Sequence, residues 1–186
     1  MDNQSPDFVI LSDYQGTIDI GGLNTDLLND YADVTKNYNV QVNIITARYI
    51  SHYHNAANDK FACEWYLENL MLPYHIDKRI YYADGLVEIG GDKSRVIAQE
   101  NFDRSAKDVF AKISARSNLI TDKLILIDDT GINRRFAKEA GCMVADPVKE
   151  DELRAVFDLV KQQATKRAII ETTRTDTTFE YDEPPF

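Results

Sequence analysis

The segment FVILSDYQGT, residues 8–17, constrains the fold more than any other: a run rich in Val, Ile and Leu stops abruptly at Asp13 and passes into the turn pair Gly16-Thr17. A short apolar run bounded by turn residues reads as a strand buried on both faces. Strands of that kind belong to parallel sheets covered by helices on both sides, where chemistry gathers at the carboxyl ends of the strands. Asp13 stands at such an end. The segment KLILIDDTGIN, residues 123–133, repeats the design, its apolar run ending in Asp128 and Asp129. Two strands that both end in acids predict one shared site.

Between and beyond these runs, apolar segments alternate with amphipathic ones, the pattern of βαβ units around a mostly parallel sheet. Residues 24–37 carry Leu27, Leu28, Tyr31 and Val34 at helical spacing behind a cap at Asn24 or Thr25. VNIIT, residues 42–46, is a second strand ending in a polar residue, Thr46, and residues 58–71 predict a surface helix stopped by Pro73. RIYYA, from Arg79, reads as a strand, and GLVEIGGDKSRVIAQ reads as a hairpin turning at Gly90-Gly91 or a short insert. A helix over 105–117 leads into the strand 123–127, a helix closed by Gly141 follows, MVA at 143–145 is a fifth strand, and a last helix spans 149–164. Beyond residue 164 the helical period is lost, so we expect one domain, 1–164, and a tail, 165–186, whose Ile169, Ile170, Phe179 and Tyr181 give it enough apolar bulk to pack on the domain or on a neighbouring subunit.

Charge and cysteine content narrow the function classes. The 186 residues hold 21 Lys and Arg against 31 Asp and Glu, a net charge of −10, which repels a phosphate backbone and disfavours extended nucleic-acid binding. A small phosphorylated ligand needs only a few local donors and a cation. Cys63 and Cys142 sit in apolar company and read as buried thiols in a reducing compartment. The polar start MDNQSPD does not resemble a signal peptide, and no apolar run approaches the roughly 20 residues of a membrane span, so a cytoplasmic protein is expected. Self-association is left open.

In order, the chain offers strand-Asp-x-x-Gly-Thr at Asp13 to Thr17, strand-Thr at Thr46, a lysine at a helix start, and strand-Asp-Asp-Thr-x-x-Asn at Asp128 to Asn133 with an alanine-glycine helix after it. Over roughly residues 8–160 this resembles the haloacid dehalogenase-like (HAD) superfamily, and the ITAR segment with WYLENLMLPYHI is more softly similar to its polynucleotide-phosphatase and acid-phosphatase members. The resemblance implies an α/β fold, a doubly wound three-layer Rossmann-like parallel sheet. The short connections after Asp13 and after Thr46 leave room for a hairpin at most, hence a minimal cap or none and an open site suited to a bulky phosphorylated substrate, small or macromolecular.

Phosphoryl transfer requires an in-line nucleophile, positive charge on the equatorial oxygens, and a cation between anionic nucleophile and anionic substrate. By resemblance, Asp13 is that nucleophile and would form an aspartyl-phosphate. Asp13, the backbone carbonyl of Gln15 and Asp129 would make an all-oxygen cradle for Mg²⁺, with Asp128 in support and Asn133 orienting a water. Thr46 would donate its hydroxyl and backbone N–H to a phosphate oxygen, with Ala47 and Arg48 bordering the substrate. The lysine offsetting phosphate charge is Lys107, at the start of the 105–117 helix, or Lys93, with Lys107 preferred because a helix N-terminus adds its own positive charge. The pair His52 and His54 reads as a solvated loop rather than a transition-metal site. One position departs from the phosphatase pattern: where a second aspartate serves as acid and base, this chain has Gln15. Three outcomes are consistent with that change: a slow Mg²⁺-dependent phosphatase, a catalytically degenerate domain that binds a ligand or a protein, or dehalogenase- or phosphonatase-like chemistry.

Overall fold

The computed structural model describes residues 5–55, 57, 63–71, 73–89 and 95–167. Its first strand, β1 (Phe8–Asp13), is buried at every position, as a strand covered on both faces must be. On one side β1 pairs in parallel with β2 (Val40–Ile45), which carries β3 (Arg79–Tyr82) in parallel and then β4 (Gly85–Glu88) and β5 (Arg95–Ala98) antiparallel. On the other side it pairs in parallel with β6 (Leu124–Ile127) and, through it, β7 (Met143–Ala145). The sheet order is β5-β4-β3-β2-β1-β6-β7. The chain thus builds outward in one direction through β2 and β3, then returns to the far side of β1, so the progression reverses between β1 and β6.

Alternation along β1 divides the core in two. Phe8 and Ile10 join Leu28, Tyr31 and Val34 of α1 (Thr25–Asn37), Leu67 and Leu70 of α3 (Glu64–Met71), and Phe157 and Val160 of α6 (Glu150–Gln163). Val9 and Leu11 face the other way, to Phe110 and Ile113 of α4 (Val109–Ser117) and Ala137 of α5 (Gly131–Glu139). This is the expected doubly wound, three-layer α/β arrangement. Local signals place the helix ends where the sequence puts them: Asn24 Oδ1 accepts from the Leu27 N–H at 3.3 Å. Gly141 takes φ +92° after α5 while the Cys142 N–H donates to Ala137 O at 2.9 Å.

Three regions differ from expectation. The helix expected over 58–71 is α3, beginning at Glu64; residues 58–62 lie outside the described set, and a short α2 (Ile50–Tyr53) precedes it, its first N–H held by Asp84 Oδ1 at 2.7 Å. The helix expected over 105–117 begins only at Val109, because the Asp103 carboxylate accepts from both the N–H (3.0 Å) and hydroxyl (2.8 Å) of Ser105 and holds the chain in a turn. The hairpin after β3 is present as β4 and β5, while its expected turn at Gly90-Gly91 lies outside the described residues. Of the tail, residues 165–167 continue alongside 37–39, with Asn39 N–H to Thr165 O at 2.8 Å and Arg167 N–H to Asn37 O at 2.9 Å; the expected packing of the rest falls on residues 168–186, outside the described set. Cys63 and Cys142 are both buried. No helix among the described residues is long and apolar enough to cross a membrane.

Burial in the central strand should dominate stability. Ile10→Ala, at a fully buried position, is expected to cost about 2–5 kcal/mol in chemical denaturation, whereas Ile97→Ala on β5, 43% exposed, should change stability by no more than about 0.5 kcal/mol.

Candidate active site

The strand order reverses between β1 and β6, and open α/β sheets bind ligands past the carboxyl ends of the strands at such a point. Asp13 is the last residue of β1, and Asp128 and Asp129 directly follow β6. The parallel register, Val9 to Leu124 through Ser12 to Ile127, brings those tips level. As a result, carboxylate oxygens of Asp13, Asp128 and Asp129 lie within 4.8 Å of one another. Below Asp13, the Tyr31 hydroxyl donates to Ser12 Oγ at 2.8 Å and Ser12 Oγ donates to Asp13 O at 3.1 Å, tying the strand tip to α1.

Buried acids this close repel unless a cation joins them, and the cation is Arg104. Its Nη1 makes a close ion pair with Asp13 Oδ1, reaches Asp128 Oδ2 at 3.0 Å, and donates to Ile45 O at 3.4 Å. Arg104 is delivered by the turn that shortens α4. Phe102, fully buried, anchors that turn against Tyr81, with ring centroids 5.0 Å apart, and its N–H donates to Ala83 O at 3.1 Å. Where the sequence predicts a lysine, Lys107 or Lys93, the structure places Arg104. The available signal was an aromatic anchor, Phe102, two residues ahead of a basic one in an otherwise polar connection.

The two adjacent acids behave differently. Asp128 is buried and accepts from the Thr130 N–H at 2.8 Å, from Asn133 Nδ2 at 3.1 Å, and from Arg104. Asn133, expected to orient a water, therefore holds Asp128. Arg134 closes the corner, donating from Nη1 to Asp128 O and from Nη2 to Asp146 Oδ2 at 2.7 Å. Asp129 is exposed, accepts from Thr130 Oγ1 at 3.2 Å, and lies over Gly16. Gly16 has φ +72°, and a Cβ there would fall 2.2 Å from Asp129 Oδ2, so only glycine lets the loop after β1 pass beneath that carboxylate.

Burial raises the Asp13 carboxyl to about 7, with Arg104 pulling the other way and Asp128 adding to the rise; burial raises Asp128 as well, again opposed by Arg104. One guanidinium thus only partly offsets three carboxylates. The donor set suits a hard divalent cation: it is all oxygen, it retains a net negative charge, and the glycine beneath Asp129 keeps that carboxylate uncovered.

The other expected site residues fall as follows. Gln15 is exposed, and its neighbour Gly16 donates to Asp19 O at 2.8 Å, which fixes the loop. Thr46 is buried just past β2; its N–H, expected to meet phosphate, donates instead to Tyr81 O at 2.9 Å because the parallel ladder runs one residue further, and its Oγ1 accepts from the Arg48 N–H at 3.2 Å. Ala47 is exposed and Arg48 half-buried beside it. Lys107 lies exposed in the turn ahead of α4, which begins only at Val109, and Lys93 lies outside the described residues. His52 turns back on its own helix, its Nδ1 accepting from the Tyr49 N–H at 3.3 Å. A cavity of about 790 Å³ opens at the opposite, amino-terminal end of β2 and β3, lined by Val40, Ile76 and Lys78 among others, away from the acids.

No protein-family model and no curated protein matches the sequence. Solved structures do share the fold. An uncharacterized protein from Corynebacterium glutamicum is 21% identical at a TM-score of 0.50, covering 82% of this chain and 92% of its own, and Thermoplasma acidophilum 0175 is 9% identical at a TM-score of 0.50, covering 83% and 98%. The haloacid dehalogenase-like hydrolase protein yhjK from Bacillus subtilis is 10% identical, with 88% and 91% covered, at a TM-score of 0.47, too distant to bear on function. Likeness at these identities speaks for the α/β fold alone.

The raised carboxyl of Asp13 has a measurable consequence. A group that binds its proton more tightly in the folded chain makes native stability fall as pH rises from about 4 towards about 7. In chelator, Asp13→Asn should therefore melt higher than wild type at about pH 8, and the gap should close towards about pH 4. A gap of constant size across that range would show that Asp13 does not titrate in this window.

Proposed function

We propose that this protein is a HAD-like, Mg²⁺-dependent phosphohydrolase that works through an aspartyl-phosphate on Asp13. The observation that carries this reading is the meeting of Asp13, Asp128 and Asp129 at the strand-order reversal with Arg104 between them. Asp13 is the nucleophile. Asp13, Asp129 and the backbone carbonyl of Gln15 would hold the cation, which when bound supplies the charge that lets an anionic carboxylate approach an anionic phosphate. Arg104 takes the part foreseen for Lys107 or Lys93: it orients Asp13 through Oδ1 and brings positive charge to the phosphoryl group. The Thr46 hydroxyl, already accepting from the Arg48 N–H, keeps its own proton to donate to a phosphate oxygen. Arg48 borders the substrate. Exposed Gln15, which cannot exchange a proton, favours a second reading in which the domain binds a phosphorylated ligand or partner without turnover.

Metal and turnover test the reading separately. Millimolar Mg²⁺ should raise the melting temperature, by about 2.7 kcal/mol of stabilisation at 100 times the Kd, and Asp129→Ala should abolish the rise. Given a generic aryl phosphate, the wild-type chain should release phosphate while Asp13→Asn releases none. Metal binding without turnover supports the binding module; no response to Mg²⁺ counts against the site as a whole.

A further inference from the structure

Gln15 also bears on the substrate. Two residues beyond Asp13 the chain presents a carboxamide, which forms hydrogen bonds but neither gives nor takes a proton near neutral pH. The neighbouring carboxylates are engaged otherwise: Asp128 by Thr130, Asn133 and Arg104, Asp19 by the Gly21 N–H at 3.1 Å, and Asp103 by Ser105. With Asp129 given to the cation, no described carboxylate beside Asp13 is left to protonate a leaving group, which favours one that departs unprotonated. An alkoxide, with a basicity near that of water's conjugate base at about 15.7, is a poor candidate; a phenolate, at about 10, is a far better one.

A second observation comes from the surface. The segments that leave the site carry exposed, bulky apolar residues: Ile20, 59% exposed, and Leu23 in the connection after β1; Tyr49, 55% exposed, three past Thr46; and Ile132, 52% exposed, in the first turn of α5. They come from three different strand tips, at the same end of the sheet as the acids. The Tyr49 ring is steadied by stacking on His52, 6.2 Å between centroids at 24°. Exposed apolar side chains on the segments that leave a polar centre offer a surface for an apolar group.

Resting on the phosphohydrolase reading, we propose that the substrates are aryl phosphomonoesters, with the aryl ring received by Ile20, Tyr49 and Ile132. In the first step an Asp13 oxygen bonds to phosphorus and the phosphorus–aryl oxygen bond breaks; the electron pair leaves on the phenolate, which takes its proton from water. In the second, water attacks the aspartyl-phosphate, the bond from phosphorus to Asp13 breaks, and phosphate and a proton are released. No base at residue 15 assists the second step, so it is slow and the phosphorylated enzyme accumulates.

The test uses the full chain with Mg²⁺ and four esters: phenyl phosphate, a phosphotyrosyl peptide, glycerol phosphate and a phosphoseryl peptide. Both aryl esters should exceed their alkyl counterparts in kcat/KM by at least ~100-fold, the scale of lost acid catalysis, with a burst of about one phenol per chain before a slower steady state. Gln15→Asp should narrow that gap by at least ~10-fold, chiefly by raising alkyl turnover, and should shorten the burst. Tyr49→Ala and Ile132→Ser should raise KM for the aryl esters several-fold and leave the alkyl esters unchanged. A clear preference for the peptide over phenyl phosphate identifies a protein as the source of the aryl group, and parity identifies a small molecule. Equal turnover of aryl and alkyl esters overturns this inference and leaves the phosphohydrolase standing. No turnover of any ester, by wild type or Gln15→Asp, overturns both.

Discussion

A single buried guanidinium makes the rest of the site attainable. Asp13 and Asp128 are almost without solvent, and two carboxylates within 4.8 Å of one another could not both ionise there unaided. Arg104 meets both, and it is itself only 7% exposed, so its desolvation is balanced by two anions and a backbone carbonyl. Removing Arg104 would leave two buried carboxylates uncompensated, whereas removing one acid leaves the guanidinium paired with the other. The surroundings follow from that requirement: Phe102 and Tyr81 anchor the turn that carries Arg104, and the Asp103–Ser105 turn delays α4 to Val109 so that residue 104 faces inward from a loop.

Backbone topology then decides where this ion pair can act. β1 is flanked by β2 and β6, and the chain reverses its progress across the sheet at that point, which keeps helices from closing over the tips of β1 and β6. Arg134 braces the far wall by joining Asp128 O to Asp146, the residue after β7, so the last two strands hold their acids in one frame.

Much of this was legible in the sequence because burial writes itself into composition. A strand covered on both faces must be apolar throughout, so β1 and β6 were readable, and so were the acids at their ends. The helices α1 and α6 are legible through their period, α1 also through its Asn24 cap and α6 through the acids of its first turn and Lys161 near its end. What escaped reading depended on contacts between segments far apart in the chain. Arg104 is one basic residue in a polar connection, and nothing local says that it turns inward; its role exists only once Asp13, some ninety residues earlier, is level with Asp128. A local Asx turn cancelled the helix start that made Lys107 attractive. The N–H of Thr46 was taken by the ladder to Tyr81, because the end of a parallel strand is set by its neighbour and not by its own residues.

The Asp128-Asp129 pair shows how a fold divides identical residues. In the sequence the two acids are equivalent, one after the other past a strand. In the structure successive side chains point to opposite sides of the chain. Asp128 turns to the core, where Thr130, Asn133 and Arg104 use it fully, while Asp129 turns to solvent above a glycine that offers it no contact from a side chain. Their surroundings separate accordingly: Asp128 joins the ion pair of Arg104 with Asp13, and Asp129 stays exposed, accepting from Thr130 Oγ1. The requirement for Gly16 has the same origin. A side chain at that position would occupy the space of the Asp129 carboxylate, so the Gly-Thr turn after β1 and the second acid after β6 form one feature that the sequence spells in two places.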